Sequence, residues 1–174
     1  MVSGSPPVQV LFVCLGNHCR SPSAHAVAQR LLAAGGFAEF DSAGTGRDHV
    51  GQTPHPLAVT EGSRRGYRVD HRARQIHPDD FERFDLVVAM DTTNVDDLAR
   101  LRGAADPRRG WFRTVEPEQV QLLRRWDPYA MPGDEDLPDP WGFGPDAYRA
   151  MFDTLERAVP ALLAHLRALH QEHP

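Results

Sequence analysis

The sequence predicts an α/β domain, a parallel sheet covered by helices on both faces, and three observations predict it. Short apolar runs, Val8–Val13 and Asp85–Met90, lack polar alternation, as strands buried on both faces do. Stretches rich in Ala, Leu, Gln and Arg stand between such runs and favour helix. The two kinds alternate along the chain, which is the order a parallel sheet with crossover helices demands. At 174 residues the chain fits one three-layer domain over 1–174, with 1–7 as a flexible start.

The elements follow in order. Val8–Val13 is the first strand, and Ser23–Ala34 the first helix, ended by Gly35-Gly36. Phe37–Ala43 alternates apolar and polar residues and reads as a second strand; Gly44–Pro56 is loop, rich in Gly, Thr and Pro. Pro56–Arg65 is a moderate helix closed near Gly66, and Tyr67–Ala73 connects onward. Asp85–Met90 is the clearest buried strand, followed by a helix over Thr92–Arg102 that Asp91 or Thr92 can cap. Gly103–Glu118 is poorly patterned, and Val120–Leu123 is a last strand. Trp126–Pro140, with four prolines and five acids, reads as a long surface loop of the kind that is functional or disordered. Pro145–His170 is the longest helix, with Ala147, Met151, Leu155, Ala158, Leu162, Leu166 and Leu169 as its apolar stripe. Pro160 is expected to bend or break it.

Composition narrows the class. The net charge of −5 argues against nucleic acid as a partner, and no run of about 18 apolar residues spans a membrane. The polar start is not a signal peptide. Both cysteines, Cys14 and Cys19, lie in one short stretch, which excludes a disulfide framework and suits a reducing cytoplasm.

That stretch, Cys14-Leu15-Gly16-Asn17-His18-Cys19-Arg20-Ser21-Pro22, is the most informative in the chain. A cysteine ends a strand, an arginine follows six positions later, and Pro22 suits the first turn of a helix. Backbone N–H groups from Leu15 to Arg20 can form a nest for an oxyanion, reinforced by the helix N-terminus. Arg20 can fork onto two phosphate oxygens where lysine cannot. The same positive field favours the thiolate of Cys14, which can attack phosphorus and form a phosphocysteine. Ser21 can hydrogen-bond the sulfur; Gly16 gives the loop room, and Asn17 suits a left-handed backbone. The leaving group needs a proton donor. Asp139, bracketed by Pro138 and Pro140 and followed by Trp141, is the best candidate; Asp134, Glu135 and Asp136 are its rivals and read more readily as a solvated acidic face.

These residues resemble the low-molecular-weight protein tyrosine phosphatase family over nearly the whole chain. The nucleophile loop is one match; Asp41-Ser42-Ala43-Gly44-Thr45, His71-Arg72-Ala73-Arg74-Gln75, Ala89-Met90-Asp91 and Pro138-Asp139-Pro140 are others, in the family's order. The resemblance implies a four-stranded parallel sheet and hydrolysis of phosphotyrosine in a protein or peptide. It implies Cys14 as nucleophile, Arg20 as phosphate clamp and Asp139 as acid, then base. Leu15, Gly16, Asn17, His18, Cys19, Ser21, His49 and Trp141 fall at substrate-binding positions, with Ser42 and His71 in a supporting network. Phosphate, sulfate and vanadate are implied as ligands of the Cys14–Arg20 loop; no metal or cofactor is. Cys19 matches the family's second loop cysteine, able to form a reversible disulfide with Cys14, although a thiol that merely fills the loop is an equal reading.

The sequence departs from the family in the pocket wall. His18 stands where isoleucine is usual, Asp48 where many bacterial members have tryptophan, and Trp141-Gly142 where a tyrosine pair is usual. His25 replaces a common glutamate and reads as a surface residue. These departures leave open a protein arginine phosphatase on the same scaffold. An arsenate reductase would normally need more redox cysteines than two. From another class, a thiol redox switch, a metal module of Cys14, Cys19, His18 and His25, or a phosphate-binding module without turnover remain alternatives. The missing Cys-x-x-C spacing speaks against zinc at the thiols.

Overall fold

A computed structural model describes residues 5–32, 36–103 and 119–172. The elements run β1 (Val8–Cys14), α1 (Arg20–Leu31), β2 (Ala38–Gly44), α2 (Pro56–Arg64), α3 (Asp80–Arg83), β3 (Leu86–Ala89), α4 (Thr92–Gly103), β4 (Val120–Leu122) and α5 (Pro145–Glu172). The four strands are parallel in the order β2-β1-β3-β4.

Alternation along the central strands divides the core. Val10, Phe12 and Cys14 of β1 and Val88 of β3 join a cluster with Val27 of α1, Ala58 of α2 and the stripe of α5. Leu11, Val13, Val87 and Ala89 point to the other face, against Phe81 of α3, Phe84 and Leu98 of α4. Helices therefore cover both faces, the larger cluster lying under α5. Burial of both faces is why these strands tolerate no polar position.

Several sequence expectations move. α1 begins at Arg20 rather than Ser23, so Pro22 sits inside its first turn. α3 was not expected; Asp80, which accepts from His77 N, starts it. Asp91 Oδ1 accepts from Asn94 N at 2.7 Å and caps α4. α5 continues unbroken through Pro160, whose ring is on the exposed side while Val159, Leu162 and Leu163 hold the helix to the core. The stripe fades at its end, where Leu169 is exposed. Trp126–Pro140 is not simply a surface loop: Asp127 and Leu137 are buried within it. Of the expected flexible start, residues 1–4 lie outside the described residues, as do Gly35 and most of Gly103–Glu118.

The sheet order places a switch point between β1 and β3, since the chain leaves β1 toward β2 and later returns beyond it. Ligands in open parallel sheets bind outside the strand ends at such a point. Cys14 at the end of β1 and Asp91 just past β3 flank it.

Candidate active site

The chain between Cys14 and Arg20 folds across the end of the sheet. Cys14 pairs with Gly44 of β2 in the register. A Cβ at Gly44 would lie 2.7 Å from the Leu15 carbonyl oxygen and 2.9 Å from the Asn17 nitrogen, so only glycine lets the loop pass there. The carbonyls of Cys14, Leu15 and His18 are taken up by the N–H groups of Thr45, Gly46 and His55. The Cys19 carbonyl accepts from Ser23, through both its backbone N–H and its hydroxyl.

Asn17 locks this loop. It holds φ 50, a left-handed conformation that asparagine tolerates better than most residues. Its Nδ2 donates to Ser21 Oγ at 2.9 Å and Ser42 Oγ at 3.0 Å. Its Oδ1 accepts from Arg74 N and from His71 Nε2, both at 2.9 Å. Ser21 Oγ lies 3.1 Å from Cys14 Sγ. The expected network of Asn17, Ser21, Ser42 and His71 is thus assembled in one buried chain ending at the sulfur. Arg74 in turn is gripped by Asp41 and Asp80, which fixes the strand edge that delivers it.

Arg20 is 2 % exposed. Its Nη1 donates to Asp91 Oδ2 at 2.5 Å and to the Leu137 carbonyl at 3.0 Å; its Nη2 donates to Asp139 Oδ2 at 3.0 Å. Its Nε is buried without a partner among the described residues. Burial works against its charge, but the Cys14 sulfur, Asp139 and Asp91 outweigh that and hold the guanidinium protonated. Asp139 Oδ1 accepts from Trp141 N, a local turn that sets the carboxyl's orientation. Two of its rivals are occupied elsewhere: both oxygens of Asp136 accept from Thr92 at the start of α4, and Asp134 pairs with Arg124.

These groups open into one cavity of about 330 Å³, lined by Cys14, Leu15, Gly16, His18, Cys19, Arg20, Gly46, Asp48, His49, Asp139 and Trp141. The His18 and His49 rings stack at 4.0 Å and 3°, and His55 meets His18 edge-on at 5.5 Å. Burial, with His49 and His55 nearby, holds the His18 imidazole below its ordinary value, so the wall is neutral there at pH 7. Trp141 stands exposed at the rim.

His25 departs from expectation. It is half-buried rather than on the surface, and its ring meets His71 at 5.8 Å, which separates it from a metal module at the loop thiols. The sequence reading also missed Asp91 as the partner of Arg20, and His55 and Tyr148 behind the wall. Tyr148 Oη lies 3.5 Å from Cys19 Sγ. The one available signal was Asp91 directly after the clearest strand, a strand-end position where ligand-binding side chains collect.

Both cysteines are free thiols. Burial pushes the Cys19 thiol up to about 12, despite the hydrogen bond with Tyr148. Cys19 is therefore fully protonated at neutral pH and gains thiolate only as pH climbs toward that value. Iodoacetate at pH 7 is expected to label Cys14 alone, with tungstate protecting it; peptide mass spectrometry locates the label. Equal labelling of Cys19 would contradict this assignment.

The low molecular weight phosphotyrosine protein phosphatase family profile matches residues 9–172. A low molecular weight protein-tyrosine-phosphatase of Streptomyces coelicolor is 40% identical over 162 residues, 91% of this chain and 93% of its own. The YfkJ structure from Bacillus subtilis superposes with a TM-score of 0.81 at 30% identity, covering 99% of both chains. An arginine phosphatase from Drosophila superposes with a TM-score of 0.77 at 28% identity, covering 90% of this chain and 96% of its own. With the profile spanning almost every residue and the relatives matching end to end, the chain belongs to the low molecular weight phosphotyrosine protein phosphatase family.

Proposed function

We propose that this phosphatase hydrolyses phosphotyrosine in proteins or peptides, with Cys14 as nucleophile, Arg20 as phosphate clamp and Asp139 as acid and then base. The observation that carries this reading is the convergence of all three on one cavity, with the sulfur 3.1 Å from Ser21 Oγ and the guanidinium 3.0 Å from Asp139. The loop carbonyls are satisfied outside the loop, which supports N–H groups turned inward toward a dianion. The same cradle would take phosphate, sulfate or vanadate.

In the first step the Cys14 sulfur attacks phosphorus in line, the P–O bond breaks, and the phenolic oxygen leaves with the proton of Asp139. In the second step Asp139 takes a proton from water, which attacks phosphorus; the P–S bond breaks and inorganic phosphate departs. The Ser21 hydroxyl, beside Sγ, stabilises the sulfur as it leaves. Stacked His18 and His49, with Trp141 also in the cavity lining, offer flat faces that suit an aromatic ring. Two free thiols also fit work in a reducing compartment such as the cytoplasm, as a single domain over 1–174.

A second reading, phosphoarginine, draws on Asp48 and Asp139 in the cavity lining, where two carboxylates suit a cationic guanidinium. Phosphotyrosine, phosphoserine and phosphoarginine peptides compared at equal concentration separate the readings. Phosphotyrosine is expected to give the highest kcat/KM; a higher value for phosphoarginine would transfer the assignment.

Asp139→Asn tests the acid. Turnover of phenyl phosphate, a poor leaving group, is expected to fall by about 10²–10⁴-fold, whereas the activated p-nitrophenyl ester loses much less. Equal losses for both esters would place the proton donor elsewhere.

A further inference from the structure

Outside the lining of the cavity, three side chains from separate parts of the chain converge. His25 comes from α1, Asp41 from β2 and His71 from the segment before α3. One potential ligand atom from each lies within 4.8 Å of the others, and all three residues are half-buried. No spacing motif announced them, since 16 to 46 residues separate them in the chain.

The chemistry of the trio is specific. Asn17 Nδ2 is committed to Ser21 and Ser42, so Asn17 Oδ1 must accept and His71 Nε2 must carry the hydrogen. In the neutral ring this leaves the lone pair on Nδ1, which sits beside the Ser42 backbone and has to turn from it to reach a cation. A ligand imidazole whose other nitrogen donates to an oxygen is the usual arrangement at metal sites. Asp41 accepts from Ser42 N on one oxygen and from Arg74 on the other, which orients the carboxylate while each oxygen keeps a further lone pair. Metal–ligand bonds of about 2.1 Å require ligand pairs about 3.4 Å apart, so the side chains close by about an ångström on binding. Two imidazoles and a carboxylate favour borderline ions such as zinc and cobalt over magnesium or calcium.

We propose that His25, Asp41 and His71 form a site for a borderline divalent cation, and that filling it slows turnover by drawing on the His71–Asn17–Ser21 chain that ends at Cys14. The effect on turnover rests on Cys14 being the nucleophile; the binding does not.

Cobalt titration of Cys14→Ser/Cys19→Ser protein tests the binding free of thiolate ligands. One equivalent is expected by equilibrium dialysis, with visible d–d absorption. His25→Gln in that background is expected to weaken binding by at least about tenfold, and His25→Glu, which keeps a ligand, to restore it. Less than one equivalent, or equal binding by the glutamine variant, overturns the site. Separately, zinc inhibition of p-nitrophenyl phosphate turnover in the otherwise natural chain is expected to weaken in His25→Gln, with metal-free activity unchanged. Equal zinc sensitivity overturns the coupling. Loss of metal-free activity in Cys14→Ser reports on the nucleophile alone, so the two ideas fail separately.

Discussion

Cys14→Ser is expected to lower kcat for p-nitrophenyl phosphate by roughly 10⁴-fold or more, the scale of losing a covalent nucleophile. Serine reproduces the size of the side chain at a site only 2 % exposed, so the fold persists. It does not reproduce the chemistry: a hydroxyl without an adjacent general base is a weak nucleophile near neutral pH. Among the described residues, the hydrogen-bonding partner of Cys14 Sγ is the Ser21 hydroxyl at 3.1 Å, not an imidazole. Tungstate binding, measured by calorimetry, is expected to stay within a few-fold, because Arg20 and the loop amides are untouched. Activity and anion affinity should therefore separate. Retained turnover would remove Cys14 from the mechanism.

Arg20→Lys is the second large effect, and it reaches both activity and stability. The guanidinium donates to Asp91, Leu137 and Asp139, and has one buried N–H, Nε, without a partner among the described residues. That orphan donor is what a bound oxyanion would satisfy. A lysine ammonium is a point charge without the planar fork and cannot hold two carboxylates and a carbonyl in the same plane. Loss of a preorganised donor to the transferring phosphoryl group is expected to reduce kcat/KM by about 10²–10⁴-fold. Unpairing the buried Leu137 carbonyl and the half-buried Asp91 is expected to cost about 1–3 kcal/mol, read as a lower melting temperature. A variant with near-normal kcat/KM would mean that the anion is held by the backbone alone.

The parts of the molecule legible in the sequence are those fixed by local rules. The β1 run is apolar because both of its faces are buried, and Gly16, Asn17 and Pro22 mark a curled loop entering a helix. The start of α1 was placed three residues late, because Arg20 and Ser21 are poor markers of a helix start and are fixed there by contacts reaching Asp91 and Ala43. Pro160 argues for a break by local rule, yet α5 continues because buried residues on both sides of it bind the helix to the core. The acidic loop shows the same limit. Asp136 looked like a solvated acid but caps α4, 44 residues away in the chain. His25 looked like a surface residue because nothing local reveals His71 beside it. Partners brought together by the parallel sheet leave no trace in spacing.

The contact between Arg20 and Asp139 bears on how the product escapes. Arg20 is paired with one carboxylate from β3's end and one from the acidic loop. An oxyanion that takes Nη2 as well as Nε displaces Asp139 there and gains, at that nitrogen, only the difference between two partners. Inorganic phosphate, once made, faces an internal rival tethered at high effective concentration. Such competition would ease release of the product, at the expense of ground-state affinity for ligands that use the same nitrogen.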